Sequence, residues 1–205
     1  MAAGTEGYER FIPLFIESAQ SLDFHQSCKD YKKFLPSAPA SLLDIGSGAG
    51  QNAAALASLG YHVTAVEPMY EFLNAALNKY GTLSVRWMQG GLPELACLNP
   101  HDEIFDFVLI EGVWHHLNEE ERAVSIACLS SIIKPGGRCA ISLRNGPPGM
   151  GTRVYPTDVS STINAFASFG FEAVFYVENQ PSIFDFKENV KWARVVLQKR
   201  FGKPS

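Results

Sequence analysis

Two periodicities alternate along the chain. Short apolar runs recur from residue 41 onward, and between them apolar positions return every three or four residues. "SLLDI" (41–45) reads as a buried strand, and "GQNAAALASLG" (50–60) as an alanine-rich helix closed by Gly60. "HVTAVEP" (62–68) is a second strand stopped by Pro68, followed by a helix over 69–80 that ends at Gly81. "LSVRWM" (83–88) alternates as a third strand, and "IFDFVLIEG" (104–112) is a nearly continuous apolar fourth. Asn118 with Glu121 three residues on gives a capping-box start to a helix reaching Ile133. "KPGG" (134–137) reads as a turn before a fifth strand, "RCAISL" (138–143). A helix at 157–169 leads to "FEAVFYV" (171–177) and "KWARVVLQK" (191–199), with no helical pattern between them. Ahead of residue 41, amphipathic helices are expected at 8–20 and 24–34. Strands separated by helices predict an α/β, doubly wound, mostly parallel sheet, in one domain with an N-terminal helical extension.

Composition narrows the picture. The 205 residues suffice for one sizeable domain, and 46% hydrophobic with 19% charged is an ordinary soluble mixture. A net charge of -4 gives no broad basic face, so a nucleic-acid partner is not expected. Cys28, Cys97, Cys128 and Cys139 are scattered without disulfide or metal-ligand spacing. The longest apolar run near the start, "FIPLFI", is too short for a signal peptide or a membrane span. A cytoplasmic location without a membrane partner is the expectation.

The chemistry starts at "SLLDIGSGAG" (41–50). A glycine turn after a strand lets backbone approach a ligand at a helix N-terminus. A dinucleotide site wants G-x-G-x-x-G, but here the third glycine arrives one residue early and Gln51 holds its place. Asp44 would also repel a pyrophosphate. A ligand with a cationic amine and a carboxylate reverses that balance, and S-adenosylmethionine carries both. Glu67, at the end of the second strand, is placed to accept from two ribose hydroxyls. With "LLDIGSGAG" (42–50), "VEP" (66–68), "MQGGLPEL" (88–95), "FDFVLIEGVWHHL" (105–117) and "LSSIIKPGGRCAISL" (129–143) in this order, the chain resembles the class I S-adenosylmethionine-dependent methyltransferases of the small-molecule type.

The resemblance implies a seven-stranded Rossmann-like sheet whose last strand is antiparallel. It implies one methyltransferase domain over 1–205, with 1–38 an N-terminal helical lid and 39–205 the cofactor core. S-adenosylmethionine would be the methyl donor, S-adenosylhomocysteine the product, and no metal is called for. Gly46, Ser47 and Gly48 would meet the methionyl end, with Asp44 binding the amine or ordering the loop. Glu67 and Pro68 would hold the ribose; Gln89, Gly90, Gly91 and Leu92 the adenine. Many relatives carry an aspartate where this chain has Gly91, so backbone amides or Gln89 must replace it. Glu111, closing the fourth strand, completes the cofactor set.

His115 is the catalytic candidate, as a wall beside the transferred methyl or a weak base. Its competing role is packing or capping, the usual fate of one of two adjacent histidines. Trp114 is an acceptor-site candidate or core. Tyr8 and Arg10 would hang over the methionyl end from a helix whose Phe11, Leu14, Phe15 and Ala19 form an apolar face, with Tyr31 near the entrance. Arg144, Arg153 and Tyr155 belong to a Gly/Pro-rich loop (144–156) that is either an acceptor mouth for an anionic group or a solvated surface. The 178–190 segment completes the acceptor region. The chain lacks an N-P-P-Y-type stretch after the fourth strand, a suitably placed nucleophilic cysteine, and a cleft carboxylate cluster for metal-assisted catechol chemistry. A small-molecule acceptor is therefore expected. A protein or tRNA acceptor, a non-catalytic S-adenosylmethionine-binding module, and a nicotinamide oxidoreductase are the alternatives.

Overall fold

Leu42, Leu43 and Ile45 are buried because their strand lies in the middle of a sheet covered on both faces. In the computed structural model, which describes residues 4–183 and 188–201, this strand is β1 (Ser41–Ile45). It is followed by β2 (His62–Glu67), β3 (Val85–Gln89), β4 (Phe105–Ile110), β5 (Ile133–Asn145), β6 (Phe171–Pro181) and β7 (Lys191–Lys199). They form one seven-stranded sheet in the order β3-β2-β1-β4-β5-β7-β6. β1 pairs in parallel with β2 and β4, while β7 lies antiparallel between β5 and β6. The sheet is the doubly wound one expected, with its last strand reversed.

The helices are α1 (Ile12–Gln20), α2 (Phe24–Ser27), α3 (Gln51–Ser58), α4 (Tyr70–Tyr80), α5 (Glu119–Ile132) and α6 (Val159–Ala167). One apolar cluster joins Leu43, Ile45, Ile110 and Ile141 to Ile126 and Leu129 of α5. A second, on the opposite face, joins Leu42, Val63 and Leu109 to Ala53 and Leu56 of α3 and to Phe24 and Tyr31. α5 starts at the capping box, in which the Asn118 side chain accepts from the Glu121 amide and the Glu121 carboxylate accepts from the Asn118 amide.

Three expectations need correction. The N-terminal region is not two full helices: a single 3-10 turn (Tyr8–Arg10) precedes α1, and α2 stops after one turn. Phe24, Cys28 and Tyr31, spaced four and three apart, reach the core with one turn and a bend, so Tyr31 is buried rather than at an entrance. "KPGG" does not precede β5 but bulges within it: Ile133 pairs with Phe105 and Arg138 with Phe107, skipping the residues between. Of the 178–190 segment, residues 184–187 lie outside the described residues.

Candidate active site

The carboxyl ends of β1, β2, β4 and β5 and the first half of β7 open into a cavity of about 490 Å³. It lies where the strand order reverses between β1 and β4, the place such sheets bind ligands, and its size suits a small organic molecule.

On the β1 side, Gly46, Ser47 and Gly48 line the cavity. Gly46 has φ +68, and a Cβ there would run into Val113, so glycine alone lets the turn close against the loop after β4. Asp44 is a correction. It is buried but does not line the cavity, because strand alternation turns it to the α3 face, where it meets the Ala53 amide. It sits beneath the turn it was expected to share with the ligand, and its Oδ2 has no hydrogen-bond partner.

Glu67 closes β2 at the cavity. Its Oε2 accepts from the Gly48 amide at 2.8 Å and its Oε1 from the Met69 amide at 2.9 Å. Each oxygen keeps a further lone-pair direction for a ligand hydroxyl. Pro68, Gly91 and Leu92 line the same region. Gln89 turns outward, donating to the Pro68 carbonyl at 3.2 Å, and with Gly90 it borders a neighbouring hollow instead.

Across β4 the residue types change. Glu111 is half-buried, lines the cavity and leaves Oε2 unpartnered. Arg194 of β7 stands beside it, as does Tyr31, whose hydroxyl is also unpartnered. His115 is 3% exposed, lines the cavity and presents an unpartnered Nδ1. Its ring lies 4.0 Å from His116 and edge-on to Trp192. His116 Nδ1 donates to the Arg153 carbonyl at 2.6 Å, which leaves its Nε2 to accept from the Tyr8 hydroxyl at 3.1 Å. Arg144 lines the wall at the end of β5.

Three expected acceptor residues lie elsewhere. Arg10 points into solvent beside Glu9. Trp114 packs on Phe166 in the core, because the short 3-10 turn (Trp114–His116) sends its first side chain inward and its next two to the cavity. Tyr155 donates its amide to the His115 carbonyl while its ring lies under Arg153, outside the cavity. The sequence placed Gly112 to His116 along the cleft, and His116 does line it, but sequence reasoning missed Asn52, Trp192 and Arg194, which line it too. A charged Arg194 between the apolar Ala193 and Val195 was the available signal.

Burial pushes Asp44, Glu67 and Glu111 each up to about 7; the charges of Glu67 and Glu111 add to the effect on Asp44. Burial holds His115 well below its usual range, so its imidazole is neutral. Burial also pushes Tyr8 up to about 12, keeping it a donor.

Residues 43–141 match the family model of a methyltransferase domain. An uncharacterized methyltransferase of Mycobacterium tuberculosis is 30% identical over 118 residues, 55% of this chain and 57% of that protein. The chain thus spans little more than half of that relative's length. A TehB-like S-adenosylmethionine-dependent methyltransferase of Corynebacterium glutamicum superposes with a TM-score of 0.66 at 18% identity, over 94% of this chain and 97% of the other. Residues 43–141 thus belong to the methyltransferase-domain family, on the fold that S-adenosylmethionine-dependent methyltransferases share. Another structure of this fold is the 1,6-didemethyltoxoflavin-N1-methyltransferase of Burkholderia thailandensis, solved with 1,6-didemethyltoxoflavin and S-adenosylhomocysteine (TM-score 0.67, 18% identity, 94% and 87% covered). The residues present fit that family's cofactor, S-adenosylmethionine: Ser47 Oγ and Gln51 Oε1 are buried and unpartnered at the glycine turn, and Glu67 lines the cavity beside it. Among the described residues, no group of His, Cys, Asp and Glu side chains is arranged to hold a metal, and no helix is long and apolar enough to cross a membrane.

Proposed function

We propose that this methyltransferase moves the methyl group of S-adenosylmethionine to a small-molecule acceptor bound in the same cavity. The observation that carries the reading is the division of one cavity by the end of β4. Glu67 and the glycine turn lie on one side, and His115, Arg144 and Trp192 on the other. The Burkholderia enzyme, named for methylation of a small molecule, supports the acceptor class.

S-adenosylmethionine supplies a methyl group on a sulfonium that is already a good leaving group. Glu67 would accept from the ribose hydroxyls, the Gly91 and Leu92 backbone would border the adenine, and the unpartnered Ser47 hydroxyl and Gln51 side chain at the turn would meet the methionyl end. Holding the acceptor in line supplies most of the remaining catalysis, up to about 7–11 kcal/mol. A hydroxyl or amine becomes strongly acidic as it gains the methyl, so a neutral imidazole at His115 is base enough to take the proton. His115→Gln should therefore cut turnover at least about a hundredfold with S-adenosylhomocysteine affinity unchanged. A change of only a few-fold would reduce His115 to a wall. The lid is formed by residues 4–10 and α1, whose Tyr8 and Phe15 cover the turn. A cytoplasmic location belongs to the same reading, supported by four unpaired cysteines.

Cofactor affinity should depend on pH. Glu67 and Glu111, which line the cavity, each hold a proton up to about pH 7, whereas an amine cation and two hydroxyl donors favour the ionised acids. Below pH 7 binding must then expel protons, and affinity falls by up to about tenfold per unit per proton. Calorimetry should show S-adenosylhomocysteine at least about tenfold weaker at pH 5.5 than at pH 7.5. A flat profile would mean that the ligand does not meet these acids.

The direct test is incubation with S-adenosylmethionine and a pool of phenols, amines, thiols and carboxylic acids, reading S-adenosylhomocysteine by mass spectrometry. Cofactor binding without turnover of any acceptor would favour a non-catalytic module. Tighter binding of NADH would overturn the reading.

A further inference from the structure

Two arginines line the cavity, and their surroundings differ. Arg194 has Asp30 at 3.6 Å. Arg144 is 6% exposed and has no carboxylate within ion-pair reach among the described residues. Its NH1 donates to the Gly146 carbonyl at 3.4 Å and its NH2 to the Pro147 carbonyl at 2.6 Å. These bonds fix the plane of the fork but use two of its five N–H groups and do not neutralise its charge. A buried cation with no counter-ion is unfavourable unless a bound anion completes it.

We propose that Arg144 is the receptor for a compact anionic group, a carboxylate or a phosphate, carried by the methyl acceptor. The inference rests on the methyl-transfer reading above. The cofactor's own carboxylate does not take this position. It belongs at the glycine turn on β1, and β5 lies two strands away, about 10 Å across the sheet. The surroundings of Arg144 fit an acceptor. Trp192 is its register partner on β7, so their side chains share one face of the sheet and the indole sets a flat apolar surface beside the charge. His115, which packs edge-on to Trp192, presents its free Nδ1 on the same side of the cavity. An acceptor anchored at Arg144 and lying along Trp192 would bring its nucleophile toward His115 and the methyl. The site would then select acceptors by a charge remote from the atom that is methylated.

The test uses the full chain saturated with S-adenosylhomocysteine and three aromatic probes of similar size, benzoate, phenyl phosphate and benzamide. Binding is read by saturation-transfer NMR and titration, with Arg144→Gln alongside. Wild type should bind one or both anions at least tenfold more tightly than benzamide, and whichever anion leads identifies the group. Arg144→Gln should lose that preference while retaining S-adenosylhomocysteine affinity. Anions no better than benzamide in wild type, or an anion preference kept in Arg144→Gln, would overturn the proposal. If Arg144→Gln fails to load the cofactor product, Arg144→Lys replaces it. That variant keeps the charge but not the anchored fork, and its preference should fall at least threefold; an unchanged preference overturns the proposal. Failure of wild type to bind S-adenosylhomocysteine would instead overturn the methyl-transfer reading itself.

Discussion

Glu67→Ala is expected to weaken S-adenosylhomocysteine binding at least about a hundredfold. A carboxylate receiving two ribose hydroxyls loses two charge-assisted hydrogen bonds, each worth about 1.5–3 kcal/mol. Two such losses at the low end already amount to about two decades in affinity. A second loss follows from the structure: the Gly48 and Met69 amides, now bonded to Glu67, are left without an acceptor. Unsatisfied donors of this kind cost about 1–3 kcal/mol each. The melting temperature should therefore fall by at least about 4 °C, and the glycine turn should loosen. Glu67 thus ties the turn as well as facing the cavity, a role not evident for an acid at a strand end. Calorimetry and thermal unfolding separate the two contributions. Unchanged affinity with a lowered melting temperature would show that the carboxylate serves the turn alone.

Gly7→Val should lower turnover at least about a hundredfold with little loss of cofactor binding. Residues 4–10 run over the cavity and are fastened to the loop after β5. The Thr152 amide donates to the Glu6 carbonyl at 2.8 Å, the Thr152 hydroxyl does so at 3.1 Å, and Arg153 stands 3.7 Å from the Glu6 carboxylate. Gly7 has φ +96, and a Cβ there would lie 2.6 Å from Thr152 Cγ2 and 2.7 Å from the Met150 carbonyl. A branched side chain must lift the segment, and Tyr8 moves with it. The acceptor then loses both its cover from water and its fixed position, and a displacement of about 1 Å can cost a hundredfold. The core strands are untouched, so thermal stability should barely change. Full activity of Gly7→Val with an acceptor found in the pool would show that residues 4–10 are not a lid.

Much of this was legible in the sequence, for physical reasons that also mark where legibility stopped. β1, β2 and β4 read as strands because burial on both faces demands near-continuous apolar runs. The glycine turn and Glu67 were legible because backbone geometry and a strand end leave few choices there. The reversed direction of β7 came from resemblance, and its place between β5 and β6 only from the structure, because periodicity says nothing about strand order. The lid's apolar face was half right: Phe15 and Ala19 turn to the cavity, while Phe11 and Leu14 are 39% and 51% exposed. A helix covering an opening needs only a narrow stripe. Arg10, Trp114 and Tyr155 were misplaced because no local pattern shows which side of a short turn or loop faces a cavity. Arg194 was overlooked because its partners come from distant segments, Asp30 before the sheet begins and Glu111 at the end of β4.

The reversed strand has a consequence for the order in which the molecule assembles. β6 is bonded only to β7, and β7 alone joins it to β5. When the chain emerges from the ribosome, β6 therefore waits without a ladder partner until residues 191–199 follow. The half of the sheet that carries Glu67 and the glycine turn, β3-β2-β1-β4, closes on residues made earlier. The wall that carries Trp192 and Arg194 is laid down last, by a strand inserted between two already present. A nascent chain stalled before β7 would have its glycine turn and Glu67 in place while the cavity still lacked the wall of Trp192 and Arg194.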